Sequence, residues 1–250
     1  MSRLLILPVF LLVSLLMPTG LKAEESLPDL EALIRQVETQ YNGLSSHAVA
    51  RMDIQTRNWQ RSLVMEFWSW RRDRFLTRIL EPAREKGVST LKLDNEVWNY
   101  LPKVDRVIKV PSSMMGGSWM GSHITNDDLV KSDRIDQLFD FTLAQENAEI
   151  YQIVCQPKPQ TVTVWGQLVY TIDKQHLTPQ QVDYFDEEGL LVRQIFFDQI
   201  RQIEGRSLPL RMTVVPHDKP EEQTVLTYEQ LTFETELTES FFSLRQLKQR

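Results

Sequence analysis

Short segments in which apolar and polar residues alternate recur along most of this chain of 250 residues. The clearest one runs from Ser46 to Thr56, where small or apolar residues at even positions alternate with mostly polar residues at odd positions. A period of two turns one side of a segment towards a core and the other towards water, which predicts a β-strand. Further strand signals, separated by Pro, Gly, Asp and Asn, cover residues 60–70, 75–80, 88–93, 97–101, 104–110, 150–155, 161–165, 168–173, 181–185, 190–197, 208–215, 224–227 and 231–235. About a dozen strands at regular spacing predict a β-barrel or a strongly curved antiparallel sheet.

Two segments at the ends of this series have helical patterns instead. Apolar residues recur at helical spacing over residues 30–41, after the capping residue Asp29 and before Asn42-Gly43. Residues 238–244 have the composition of a short capped helix. Because no shift in composition marks a domain boundary, we expect one domain of the mainly β (α+β) class.

The first 23 residues have the layout of a secretory signal peptide. Arg3 gives a positive start, an apolar run extends from Leu4 to Met17, and Ala23 provides a small residue at the expected cleavage site. A helix of about 14 residues spans only about 21 Å, which is short for a hydrocarbon core of ~30 Å, and an uncleaved anchor is the alternative. We therefore expect a cleaved signal peptide at 1–23 and an exported domain at 24–250.

The charge balance limits the partners of this domain. The chain has 28 Lys and Arg against 34 Asp and Glu, which gives a net charge of −6, and the predicted signal peptide removes two of the basic residues. Binding to phosphates requires a surplus of basic side chains, so nucleic acid is not an expected partner. Such a surface is also not attracted by charge to anionic lipid headgroups.

Few residues have the pattern of a catalytic or metal site. One cysteine and four scattered histidines provide neither a disulfide framework nor a zinc cluster. The segment Gly117–Gly121 is close to a nucleophile elbow, but its centre is Trp119 where that motif requires serine. We therefore expect no enzyme activity, no cofactor and no metal, with a hydrolase built from Ser122, His123 and Asp127 as a remote alternative.

Large apolar side chains are present on more faces than a simple core requires. Over residues 60–70, for example, both faces of the predicted strand are apolar. A curved sheet packed around a helix fills its concave face incompletely, and the remaining space is an apolar cavity. The candidates to line this cavity are Met65, Phe67, Trp68, Trp70, Trp98, Tyr100, Leu101, Met115, Trp119 and Met120, with Trp59 and Trp165 as further candidates. For each of them on its own, a place in the ordinary core is the alternative.

The stretch from Met114 to His123 interrupts the strand pattern with flexible apolar side chains and three glycines. It leads into residues 125–131, where capping residues and two aspartates favour the start of a helix. Two interpretations of Met114–Gly121 stay open. It is either an adaptable apolar lid or a buried segment that crosses the interior.

An apolar cavity in an exported protein is suited to carrying acyl chains through water. Moving an acyl chain through water costs ~0.8 kcal/mol for each CH₂, so a sixteen-carbon chain faces a barrier on the order of 10 kcal/mol. A protein that encloses the chain avoids this barrier and needs no catalytic group. The sequence therefore predicts a carrier of lipid acyl chains.

Several motifs spread over the chain resemble one family. They lie at residues 98–107 (WNYLPKVDRV), 117–122 (GSWMGS), 126–129 (NDDL), 186–189 (DEEG), 205–209 (GRSLP) and 241–244 (FFSL). Their combination is similar to the outer-membrane lipoprotein-sorting family of LolA-like carriers, in the branch found beside exporters of the resistance-nodulation-division type.

This resemblance implies a single strongly curved, unclosed antiparallel β-barrel with helices covering an apolar cavity. It also implies a periplasmic protein that shuttles lipid or lipoprotein acyl chains between membranes, with an inner-membrane exporter as partner and transient membrane contact. Lipoprotein and other lipid cargo both stay open, because the chain is longer than the founding carriers. The main alternative is a lipid-sensing or structural adaptor of an exporter that transfers no cargo.

Overall fold

The computed structural model describes residues 28–249, so the predicted signal peptide at 1–23 lies outside the described residues. One sheet of 13 strands makes up most of this part of the chain. The strands are β1 (Ser45–Gln55), β2 (Gln60–Trp70), β3 (Arg74–Glu81), β4 (Ser89–Leu93), β5 (Glu96–Leu101), β6 (Arg106–Lys109), β7 (Phe139–Glu146), β8 (Ile150–Pro157), β9 (Gln167–Asp173), β10 (Thr178–Phe185), β11 (Leu191–Ile203), β12 (Arg206–Pro216) and β13 (Gln223–Phe233). All neighbouring strands are antiparallel, which confirms the predicted fold class.

Four short α-helices accompany the sheet in the described residues. They are α1 (Leu30–Thr39), α2 (Asn126–Lys131), α3 (Ile135–Leu138) and α4 (Leu244–Leu247). The carboxylate of Asp29 caps α1 by accepting a hydrogen bond from the Ala32 backbone N–H at 3.0 Å. The buried side of α1 packs into the main apolar core through Leu33, Ile34 and Val37. None of the helices described here has the length and apolarity needed to cross a membrane.

The strand order leaves the sheet unclosed. It runs β6-β5-β4-β3-β2-β1-β13-β12-β11-β10-β9-β8-β7, so the first and last strands pair in the middle and β6 and β7 form the two edges. The chain that joins these edges contains α2 and α3. The predicted unclosed barrel with helices over its interior is therefore confirmed.

Some local predictions differ from the structure. Residues 161–165 form no strand, because their side chains bond to other elements: Thr161 Oγ1 donates to the Leu138 carbonyl at 2.8 Å and Thr163 Oγ1 to Asp127 at 3.0 Å. The two strands expected at 224–227 and 231–235 are one strand, β13, with a register shift opposite Val49 and Ala50. The short helix expected at 238–244 is a 3₁₀ helix at Glu239–Phe241, and α4 follows it with Ser243 as the cap.

Strand β2 places apolar side chains on both faces, as its sequence predicts. Because successive side chains of a strand point in opposite directions, Phe67 joins the main core whereas Trp68 and Trp70 point to the other face. On that face the C-terminal segment packs over β2–β5. The buried members of this second cluster are Leu76, Leu91, Tyr100, Phe242 and Leu247.

Two leucines of α4 give a matched test of this packing. Leu247 is fully buried in the second cluster, whereas Leu244 is 45% exposed. We expect Leu247→Ala to lower the free energy of unfolding by about 2–5 kcal/mol, because it leaves a cavity in packed surroundings. Leu244→Ala should change it by about 0.5 kcal/mol or less. Urea unfolding followed by tryptophan fluorescence measures both, and equal effects would contradict the packing of the C-terminal segment described here.

Candidate functional site

A cavity of about 250 Å³ lies between the sheet, α1 and the segment that joins β6 to β7. Most of its wall is apolar or aromatic: Val37, Tyr41, Phe67, Phe75, Trp119, Ile124, Leu129, Tyr170, Pro179, Val182, Tyr184, Ile195, Phe197, Met212, Leu226 and Tyr228. The polar part of the wall consists of Glu38, Gln40, Asn42, Ser69, Arg71, Arg74, Lys92, Asp128, Asp133 and Arg193. A concave apolar site with a few polar groups is typical of small-molecule binding.

Aromatic rings from three elements form one side of the cavity. The ring of Tyr228 on β13 stacks on Tyr41, just after α1, with 5.4 Å between the ring centroids. Phe67 on β2 lies between Tyr228 and Phe75, with centroid distances of 6.4 Å and 5.9 Å. Such ring pairs give a rigid apolar surface against which an alkyl chain can pack.

A buried ion pair joins the segment after β6 to the sheet. Asp128 on α2 and Arg193 on β11 form two parallel hydrogen bonds of 2.7 Å. The Arg193 guanidinium also lies over the rings of Tyr184 and Trp165, at 4.0 Å and 4.4 Å from the ring centroids. Burial by itself would raise the pKa of the Asp128 carboxyl, but Arg193 and the hydrogen bonds from Thr125 lower it below its ordinary value. The pair is therefore charged, and it holds α2 against the cavity.

A second group of charges lies where β4 meets the segment before α3. The Lys92 ammonium donates to both carboxylate oxygens of Asp133, at 2.9 Å and 3.0 Å. Arg72 donates to both carboxylate oxygens of Asp136 and to the Asp133 backbone carbonyl. Burial lowers the pKa of Lys92 and raises the pKa of Asp133, in each case against the charge of the partner. Mutual pairing therefore satisfies these buried groups.

Glu38 differs from the other carboxylates of the cavity because it has no ion pair within residues 28–249. It projects from α1, and the Tyr170 hydroxyl of β9 donates a hydrogen bond to its carboxyl group. Burial raises the pKa of Glu38 to about 8, with a smaller opposite effect of the Tyr170 hydrogen bond. At neutral pH this side chain is therefore mainly a neutral carboxylic acid, which is compatible with an apolar cavity.

The structure brings two of the ten predicted cavity residues to this site. Phe67 and Trp119 line the cavity, and Trp119 is fixed there by the hydrogen bond that its Nε1 donates to Thr90 Oγ1 at 3.1 Å. In Met114–Gly121 the side chain of Trp119 is buried, at 3% exposed, whereas Met114 is 59% exposed and Gly116, Gly117, Ser118 and Gly121 are also exposed. The segment therefore places one large side chain in the interior and lies otherwise mainly at the surface. We use the term crossing segment for the whole of residues 110–138, which join β6 to β7.

The other eight predicted residues lie elsewhere. Met65 is fully buried in the main core, and the second cluster on the opposite face contains Trp68, Trp70, Trp98 and Tyr100. Leu101 is exposed, whereas Met115 and Met120 are partly buried within the crossing segment and do not line the cavity. Of the two further candidates, Trp59 is exposed and Trp165 packs on Tyr184 at 4.9 Å between ring centroids. Apolar content identified these residues, but the strand face on which each one lies decides its place.

The sequence patterns do not predict the polar groups of the cavity. Glu38, Tyr170 and Arg193 stand in segments with ordinary amphipathic patterns, and their partners are distant in the sequence. Local patterns contain no signal for such pairs. The capping pattern at Asp127-Asp128 did indicate the start of α2, but not that Asp128 also binds Arg193.

The residues of the remote hydrolase alternative do not form a catalytic triad. The Ser122 hydroxyl donates to a backbone carbonyl at 2.7 Å, and the His123 ring contacts Thr224 and Glu222 at 2.8 Å and 3.2 Å. In the described part of the chain, no hydrogen bond joins Asp127 to either Ser122 or His123. The same part of the chain contains no group of three His, Cys, Asp or Glu residues placed to hold a metal ion.

Comparison with known proteins shows the family of this chain. A family model with the description "Uncharacterized protein" matches residues 71–249. The chain belongs to this family. The matched part includes β3 to β13 and therefore most of the cavity wall. No curated protein matches the sequence.

Three solved structures are similar to this chain. A DUF1329 family protein from Desulfovibrio piger has a TM-score of 0.80 and 22% identity, over 87% of this chain and 97% of that chain. A domain assigned as an outer membrane lipoprotein-sorting protein, from Vibrio parahaemolyticus, has a TM-score of 0.74 and 22% identity over 88% and 98%. A LolA superfamily protein from Nitrosomonas europaea has a TM-score of 0.73 and 15% identity over 86% and 98%. The predicted LolA-like resemblance is confirmed, and at these identities the likeness establishes the fold.

The Asp128–Arg193 pair should contribute strongly to stability. Asp128→Asn leaves the Arg193 guanidinium buried without a countercharge, so we expect the free energy of unfolding to fall by about 3–5 kcal/mol. The control is Glu229→Gln in the exposed pair with Arg51, at 3.1 Å, for which we expect a loss below about 1 kcal/mol. Urea unfolding at neutral pH measures both variants. A similar small loss for both would show that the buried pair is not the attachment of α2.

Glu38 should make stability depend on pH. Its carboxyl titrates at about 8 in the folded protein but ordinarily at 4.5, so between these values the folded state holds a proton that the unfolded state has lost. The free energy of unfolding therefore decreases as pH rises through this window, by about 1.4 kcal/mol per pH unit from this group. Glu38→Gln keeps an acceptor for Tyr170 but removes the titration, so its stability relative to the wild type should increase with pH.

Urea unfolding midpoints of both proteins between pH 6 and pH 9 measure this difference. Tyr170→Phe is the control, because it removes the hydrogen bond but leaves the carboxyl group free to titrate. Parallel pH profiles for the wild type and Glu38→Gln would contradict the raised pKa.

Proposed function

We propose that this protein is a periplasmic carrier that binds the acyl chains of a lipid or lipoprotein in its cavity and transfers them between membranes. The observation that carries this proposal is the apolar cavity of about 250 Å³, enclosed by α1, the sheet and the crossing segment. The predicted signal peptide at 1–23 and a carrier domain at 24–250 agree with a location in the periplasm. No catalytic group is required for this function.

The cavity volume is sufficient for a substantial part of an alkyl chain. A CH₂ group takes about the volume of a water molecule, ~30 Å³, so a cavity of about 250 Å³ accepts roughly eight of them. Burial of eight methylenes contributes on the order of 6 kcal/mol, which is enough to retain a chain in reversible binding.

The fold also supports the proposed partners. One similar structure is assigned as a lipoprotein-sorting domain and another as a LolA superfamily protein, and sorting implies a donor and an acceptor membrane. We propose an inner-membrane exporter of the resistance-nodulation-division type as the donor or acceptor, on the motif resemblance at residues 98–107 and 117–122. We propose that contact with either membrane is transient, as the family resemblance implies.

Extraction of the protein from a periplasmic fraction, followed by lipid mass spectrometry, tests this function. A carrier retains a lipid or lipopeptide in stoichiometric amount and does not change it on incubation. An empty cavity together with stable binding to the exporter would favour the structural adaptor. Release of fatty acid from the bound lipid would favour the hydrolase.

A cavity-filling substitution tests the location of the chain. Val182 on β10 is buried and lines the cavity, so Val182→Phe places about four additional carbon atoms in the space of the chain. Displacement of two or more methylenes should weaken the binding of 1-decanol at least about tenfold. The same substitution at the exposed Val104, which does not line the cavity, should leave binding unchanged. Isothermal titration calorimetry measures both, and unchanged binding to a folded Val182→Phe protein would place the chain elsewhere.

A further inference from the structure

One cation of the cavity wall has no countercharge in the described residues. Arg193, Lys92 and Arg74 each contact at least one carboxylate. Arg71 also lines the cavity, but no carboxylate within residues 28–249 lies at ion-pair distance from its guanidinium. The neutral form of Glu38 cannot compensate it. Arg71 is therefore the cation of the cavity wall that has no carboxylate partner among the described residues.

Arg71 lines the cavity and is also exposed to solvent, so it marks a place where the cavity opens, which we call its mouth. It directly follows β2, and its backbone N–H donates to the Leu44 carbonyl at 2.7 Å. Its guanidinium lies over the ring of Trp70, 4.4 Å from the ring centroid. The side chain is exposed, so its five N–H donors are available at the end of an otherwise apolar space. Trp70, one of the predicted site residues, thus contacts the arginine, although its ring packs against the second cluster.

A second donor of the cavity wall has no acceptor. The side-chain nitrogen Nε2 of Gln40 is buried and makes no hydrogen bond in the described structure. Gln40 lies at the end of α1, and the bond between Arg71 and Leu44 connects the two segments. Because buried donors in folded proteins normally have a partner, this group indicates an acceptor that the chain itself does not provide.

We infer that the cavity binds a single-chain amphiphile with an anionic headgroup, whose carboxylate or phosphate oxygens accept hydrogen bonds from Arg71 and Gln40. This inference rests on the proposed carrier function and defines the class of its cargo. The alkyl chain lies among Phe67, Phe75 and Tyr228, and the headgroup remains at the mouth. The net charge of the protein is negative, so the protein as a whole does not attract anions. The preference for an anionic headgroup therefore comes from the residues at the mouth of the cavity.

Three ligands with the same ten-carbon chain separate the headgroup from the chain. Decanoate, 1-decanol and decylammonium are titrated below their critical micelle concentrations into the full protein, with calorimetric detection. We expect decanoate to bind about tenfold more tightly than 1-decanol, because one charge-assisted hydrogen bond contributes a difference of this size. Decylammonium should bind more weakly than either, because its charge is repelled by Arg71. Decyl phosphate in place of decanoate distinguishes a phosphate from a carboxylate headgroup. Acetate and inorganic phosphate, which have no chain, should not compete.

Variants then assign the preference to residues. Arg71→Gln should reduce decanoate affinity about tenfold and leave 1-decanol binding unchanged, and Gln40→Leu should reduce the same preference by a smaller factor. Arg57→Gln is the matched control, because Arg57 is an exposed arginine in the turn between β1 and β2 that does not line the cavity. Circular dichroism confirms that each variant is folded.

The outcomes separate this inference from the proposed function. If all ligands with a chain bind equally and Arg71→Gln changes none of them, the anionic site is refuted while the carrier function stands. A preference for decanoate that survives Arg71→Gln also refutes this site. If neither decanoate nor 1-decanol binds, the carrier function itself fails and the inference fails with it.

Discussion

The pairing of β1 with β13 is the constraint on which the rest of the structure depends. Every other pair of neighbouring strands is consecutive in the sequence, so each half of the chain forms its own meander and the two meanders meet at this one pair. The free ends of the meanders, β6 and β7, are then distant in the sheet. The chain must bridge them, and it does so through the interior. For this reason Trp119, Asp128 and Asp133 reach the cavity from a segment that belongs to neither meander.

The cost of removing charge from water decides the chemistry of this interior. An isolated charge in an apolar cavity is unfavourable by several kcal/mol, so the buried ions of the cavity wall occur in pairs. Glu38, the carboxyl group of this wall without an ion pair in residues 28–249, holds its proton. These pairs also have a geometric role. The pairs Arg193–Asp128 and Lys92–Asp133 each join the crossing segment to a strand. They thus hold two walls of the cavity at a fixed separation. Polar contacts hold the shape, and apolar surface provides the binding energy.

The sequence predicts the fold better than it predicts the site. Alternation over Ser46–Thr56 identified β1 almost to its ends, because a period of two is a local property. The apolar and aromatic residues on both faces of residues 60–70 identified β2. Residues 161–165 have the same local signal, yet side-chain hydrogen bonds to α2 and α3 replace a strand there. Phe67 and Trp68 look equivalent in the sequence. One lines the cavity and the other lies outside it, since the face depends on what each side of β2 packs against.

The polar residues of the site depend on distant partners. Glu38 with Tyr170 and Arg193 with Asp128 become recognisable as pairs only after the strand order is known. The family resemblance predicted an apolar cavity correctly as part of the fold, but it did not indicate these groups. The site could therefore be predicted as a location for apolar side chains, and not as an arrangement of charges.

The shortness of β6 has a consequence for how this molecule behaves among its own copies. An unclosed sheet exposes backbone hydrogen-bonding groups along its border, where another chain could add itself and begin a fibril. β6 has four residues, and it begins with Arg106 and ends with Lys109. A border so brief, with a positive charge at each end, gives an incoming strand few bonds and repels an identical one. This side of the opening that the barrel requires is thus a poor template for the addition of a further strand.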